Sequence, residues 1–84
     1  MEHELKTWPE YFQLMVNGDK PFELRKNDRD FQVGHILLLR EYDKDSKEYS
    51  GRMLHRKITY ILKGDEAEAF GLKRGFCIMG LKQA

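Results

Sequence analysis

Thr7–Arg25 reads TWPEYFQLMVNGDKPFELR, and a change of period inside this stretch decides the fold class. Trp8, Tyr11, Phe12, Met15 and Val16 fall at i, i+3, i+4, i+7 and i+8, which is one face of a helix. Thr7 is placed to cap that helix and Glu10 to return the bond three residues later, with Pro9 tolerated in the first turn. Asn17-Gly18 supplies a left-handed stop. These signals predict one N-terminal amphipathic helix from about Thr7 to Asn17. From Phe22 the period drops to two. Phe22-Glu23-Leu24-Arg25 alternates apolar and charged, so the expectation is a strand with Phe22 and Leu24 toward a core and Glu23 and Arg25 on the polar face.

Working outward, the rest reads as short strands. His3–Lys6 is a candidate before the helix. Asn27-Asp28-Arg29-Asp30 is turn chemistry, and Val33-Gly34 marks a second turn. Ile36-Leu37-Leu38-Leu39 is apolar on both faces, as a central strand requires. Asp43–Ser46 suits a hairpin loop. Beyond Gly51, Leu54, Ile58, Tyr60 and Leu62 share one strand face, interrupted by Arg56. Gly64–Gly75 reads as loop, with one helical turn at Glu66–Ala69, and Phe76–Leu81 as a final strand. One helix and about five strands predict a mixed α/β, mainly β domain, a small β-barrel of five to six strands. Closure would remove exposed sheet edges; an open α+β sheet is the alternative.

The 84 residues form a single domain, 1–84, with 40% hydrophobic and 35% charged residues, the balance of a folded globular chain. A chain of this size buries about 60% of its unfolded surface, enough for one modest core. Fifteen Lys and Arg against fourteen Asp and Glu leave +1, so binding to a polyanion requires a local cluster of positive charge. Cys77 is the single cysteine, which excludes an internal disulfide and reads as a buried apolar residue in the Phe76–Met79 run. The polar start and the absence of a long apolar run argue against a signal peptide or membrane span, and a cytoplasmic location is expected.

Gly-rich phosphate loops and the hydrolase and zinc-protease motifs are absent, so no cofactor is expected. His3, His35 and His55 lie far apart without Cys or carboxylate at metal spacing, so no metal is expected either. What carries chemistry is Gly18–Arg29, where four positive and three negative residues fall within twelve positions directly after the helix stop. Glu23 between Lys20 and Arg25 would hold both cations in place, leaving Arg25 to offer a planar fork to a phosphate or base edge and Lys20 a compact charge. Lys26 and Arg29 extend the cluster. The alternative is a solvated strand with surface ion pairs. Of the aromatic residues, Trp8, Tyr11 and Tyr60 sit on apolar faces and read as core. Tyr42 and Tyr49 are either base-stacking platforms or a cross-strand pair. Arg40, Arg52, Arg56 and Lys57 form a second basic group, either a phosphate track or a solvated face.

His3-Glu4-Leu5-Lys6, Trp8-Pro9-Glu10-Tyr11-Phe12 and Gly18-x-Lys20-x-x-Glu23-x-Arg25-x-Asn27-Asp28-Arg29-x-Phe31-x-Val33-Gly34 resemble the ASCH domain of the PUA-like superfamily. The likeness is to its small stand-alone bacterial and phage branch, and it continues through Leu37-x-Leu39-x-Glu41-Tyr42 and Gly51-Arg52. The resemblance implies a five- or six-stranded barrel, RNA binding, and a cleft lined by Lys20, Glu23 and Arg25 with Lys6 and Trp8 at its edge. Some ASCH relatives deacylate a modified cytidine with a Lys, a Thr three residues later and a Glu from a later loop. Here Lys20 matches, Glu23 stands where the Thr would be, and Glu66 and Glu68 are unaligned candidates. The expected function is therefore an RNA- or nucleotide-binding module, using Lys6, Trp8, Lys20, Glu23, Arg25, Lys26 and Arg29. The alternatives are a small amidohydrolase-like enzyme using Lys20 as base on a modified nucleoside, and a protein-interaction accessory.

Overall fold

The computed structural model describes Met1–Ala84. Five strands, β1 (Glu2–Thr7), β2 (Phe22–Lys26), β3 (Ile36–Asp43), β4 (Glu48–Lys63) and β5 (Phe76–Gln83), are joined by α1 (Pro9–Val16) and by α2 (Gly64–Ala67) with its 3₁₀ turn Glu68–Phe70. They form one mixed sheet in the order β1-β3-β4-β5-β2. β1 runs parallel to β3, while the other neighbours are antiparallel. Leu5, Met15, Phe31, Leu37, Leu39, Ile58, Cys77, Met79 and Leu81 form the buried core. The fold is thus mainly β and barrel-like.

The sheet is a half-barrel, and β1 and β2, its two ends, share no backbone ladder. Arginine side chains from β2 and from the loop after it reach β1 instead. The Arg25 guanidinium donates to the carbonyl of Lys6, and Arg29 donates to the carbonyl of Glu4 at 2.6 Å. These two acceptors lie one pleat apart on β1, so the guanidinium groups use carbonyls that a pairing strand would otherwise take.

The helix departs from its expected start. Thr7 ends β1, paired with Glu41, and makes no cap; Trp8 occupies the cap position with extended dihedrals, φ −61° and ψ 148°, and no side chain caps the helix. Two forces set this boundary: the β1–β3 ladder holds Thr7 extended, and Pro9 disfavours helical geometry at Trp8. Only Phe12 and Met15 of the apolar face are buried, while Tyr11 and Val16 are exposed. The helix stop is as read, with Gly18 at φ +82°.

β2 inverts its expected faces. Glu23 is 4% exposed, whereas Phe22 and Leu24 are 43% and 54% exposed. Alternation is kept but its sense is reversed, because a carboxylate supplied with two cationic partners can be buried where an unpaired one cannot. In β4 the register slips between Ile58 and Tyr60. Ile58 stays in the core, Ile61 packs against it and Tyr60 turns out at 61% exposed, which corrects the core reading of Tyr60. After β4 the chain passes so close to itself that a Cβ on Gly64 would lie 1.9 Å from the Lys73 carbonyl oxygen, so only glycine fits there. No helix is long and apolar enough to cross a membrane.

Candidate functional site

The gap between the end of β1, the start of α1 and β2 is an open cleft of about 560 Å³ lined by Lys6, Thr7, Trp8, Tyr11, Lys20 and the Phe22–Arg25 segment. The helix stop positions its main cation. The backbone N–H groups of Asp19 and Lys20 both donate to the Leu14 carbonyl, at 2.9 and 3.2 Å, which fastens Lys20 beneath the last turn of α1. The Lys20 ammonium then donates to Glu23 Oε1 at 3.1 Å and to the Phe22 carbonyl at 3.2 Å. The Tyr11 and Phe22 rings lie 5.4 and 5.1 Å from it, within reach of the attraction between a cation and a ring face. Arg25 Nε donates to the other carboxylate oxygen, Glu23 Oε2, at 2.7 Å. One buried carboxylate therefore organises two cations, one on each oxygen.

At the rim, the Lys6 ammonium sits 4.5 Å from the centre of the Tyr42 ring, and Trp8 packs 6.2 Å from the same ring. Of the two readings open for Tyr42 and Tyr49, the structure shows the cross-strand pair, with centroids 5.0 Å apart. Trp8 and Tyr11 line the cleft and are not core residues as read from the helix face. The structure thus gathers Lys6, Trp8, Lys20, Glu23 and Arg25 around one cleft. Lys26 and Arg29 lie outside its lining, and Arg29 is engaged at the β1 edge. Glu66 and Glu68 are also outside it, and Glu68 pairs with Arg74 at 3.3 Å.

The second basic group is largely engaged with the protein. Arg40 pairs with Glu4 at 3.2 Å and covers the Tyr49 ring at 3.8 Å. Arg52 lies over the Phe12 ring at 4.9 Å and 3.8 Å from Glu41. Arg56 donates to the His55 carbonyl at 2.9 Å.

Two features were missed in the sequence. The hydroxyl of Thr7, on a residue only 3% exposed, has no hydrogen-bond partner although Thr7 lines the cleft. His3 Nε2 and His35 Nδ1 lie 2.9 Å apart, and Phe31 meets the buried His3 ring edge to face. Burial first, and then the neighbouring His35, Arg29 and N-terminal amine, push the His3 imidazole below its ordinary value, against an opposing pull from Asp30. The available signal was period two on β1, where His3, Leu5 and Thr7 are the inward positions. Cys77 is fully buried, and burial pushes its thiol upward. No group of three or more His, Cys, Asp or Glu is arranged to hold a metal.

Residues 2–81 match the protein family described as a domain of unknown function, DUF3850. The chain belongs to this family. It is also similar to an uncharacterised 12.9 kDa protein from the GpA 3′ region of Escherichia phage P2, with 37% identity over 59 residues. That alignment covers 70% of this chain and 52% of the phage protein, so the chain spans about half the length of this relative.

Proposed function

We propose that this domain is a PUA-like (ASCH) module that binds RNA through the cleft between β1, α1 and β2. The observation that carries the reading is the combination within that cleft of ring faces from Trp8, Tyr11 and Phe22 with the cations Lys6, Lys20 and Arg25. Ring faces suit a nucleobase, for which stacking contributes about 1–3 kcal/mol per base, and Lys6 at the rim suits its phosphate. Because Lys20 and Arg25 share the Glu23 charge, the cleft is only moderately cationic, which favours a few contacts to a single strand over a broad duplex footprint. The hydrolase alternative has less support: Lys20 donates to two oxygens of its own chain, Glu23 replaces the hydroxyl of the ASCH pattern, and neither Glu66 nor Glu68 lines the cleft. The protein-interaction alternative has less support: exposed Phe22 and Leu24 belong to the cleft, and the other exposed apolar residues, such as Val33, Met53 and Phe70, come from separate parts of the chain.

Trp8 is the single tryptophan and stands in the cleft wall, so its fluorescence reports on occupancy directly. Titration with single-stranded RNA oligonucleotides at low salt is expected to change Trp8 emission. The affinity should fall with salt at a log–log slope of about −0.7 per phosphate contacted. No binding at low salt, or binding indifferent to salt, overturns the reading.

A further inference from the structure

The cleft contains one buried polar side chain that its surroundings leave unsatisfied. Glu23 accepts from Lys20 and from Arg25, and the Lys20 ammonium donates to Glu23 and to the Phe22 carbonyl. The Thr7 hydroxyl has no partner, and at 3% residue exposure it is shielded from bulk water. Buried hydroxyls are nearly always hydrogen-bonded, and an unsatisfied one destabilises the fold. Valine has the same shape and β-branching, suits a strand equally well and carries no polar atom to satisfy. The hydroxyl thus finds no partner within the chain, at a position lining the cleft.

We propose that Thr7 is the specificity-determining residue of the cleft, its hydroxyl meeting the hydrogen-bonding edge of a planar heterocycle whose face lies against the aromatic wall. This assignment rests on the nucleotide-binding reading above and names the recognition group within it. A hydroxyl both donates and accepts, so it matches a base edge carrying an N–H or a carbonyl. Lys6 and Trp8, the chain neighbours of Thr7, are exposed and half-buried respectively and line the same cleft. The pattern follows a general rule of discrimination: a site that leaves a polar group buried rejects analogues unable to pair with it more strongly than an apolar pocket rejects an extra group.

The test uses the full chain with Thr7→Val and Thr7→Ser, read by thermal unfolding without ligand and by Trp8 fluorescence against the four ribonucleoside monophosphates. Val is expected to raise the melting temperature of the free protein by a few degrees. It should also weaken the best-bound monophosphate about tenfold or more and narrow the differences among the four bases. Ser is expected to keep both the wild-type preference and most of the affinity. Unchanged affinity and base preference in Thr7→Val, with wild type binding normally, overturns the Thr7 assignment alone. A free protein that gains no stability from Val also overturns it, because the hydroxyl is then already satisfied. If wild type binds none of the four monophosphates and no RNA oligonucleotide, the binding reading and the Thr7 assignment fall together.

Discussion

Two clusters of positive charge, close in composition, are built in opposite ways. On β3 and β4, Arg40, Arg52 and Arg56 diverge, each meeting a different partner: Glu4, the Phe12 ring and Glu41, and the His55 carbonyl. Around β2, Lys20 and Arg25 converge on a single carboxylate whose side chain is 6% exposed. Divergent surface pairs are replaceable one at a time and contribute little. A convergent buried set stands or falls on its centre, because removing Glu23 leaves two cations facing each other without a counter-charge. The difference teaches that counting cations locates no site; what matters is whether they share a partner.

The largest effect should come from destroying the centre of the convergent cluster. Glu23→Ala is expected to lower stability by about 3 kcal/mol, the scale of breaking a buried ion pair, measured by urea unfolding at neutral pH. A loss near that of a surface pair would put the two clusters in the same class. A smaller effect comes from β1, outside both clusters. In the folded chain the His3 imidazole is pushed below its ordinary value of 6.5, so between that value and its lowered folded one the unfolded chain binds more protons. Stability should therefore be fully present above about pH 6.5 and decline as pH falls through the folded value. His3→Leu should flatten that decline, as followed by the urea midpoint against pH. The smallest effect belongs to the divergent cluster: Arg40→Ala is expected to lower stability by about 0.5 kcal/mol, because its partner Glu4 is more than half exposed.

Much of this was legible in the primary structure, and the misses have identifiable causes. The strands around Leu37 and Met79 follow from apolar runs, and the turn at Gly18 from its glycine. Glu23 was placed on the polar face of β2 because hydrophobicity alone sets the sense of an alternation. Its burial depends on Lys20 reaching it from outside the strand, which no pattern within β2 records. Thr7 fitted a capping box until the parallel ladder with β3 claimed it, and that pairing joins residues more than thirty positions apart. The same parallel pairing brings His3 to His35, so the histidine contact was hidden for the same reason. Tyr60 was misplaced by a one-residue slip, which reverses every later side chain in a strand. The cleft residues Lys20, Glu23 and Arg25 were legible because they are close in sequence; Thr7 was not, because its role there depends on the return of the chain.

The arginine bridges across the mouth of the half-barrel also bear on how the molecule behaves in a crowd. An uncovered sheet edge is a template on which a second chain can lay its own strand. Arg25 and Arg29 occupy the Lys6 and Glu4 carbonyls that such a strand would need, and they place positive charge along that border. The same two guanidinium groups, one from β2 and one from the loop after it, thereby make the domain a poor nucleus for edge-to-edge aggregation.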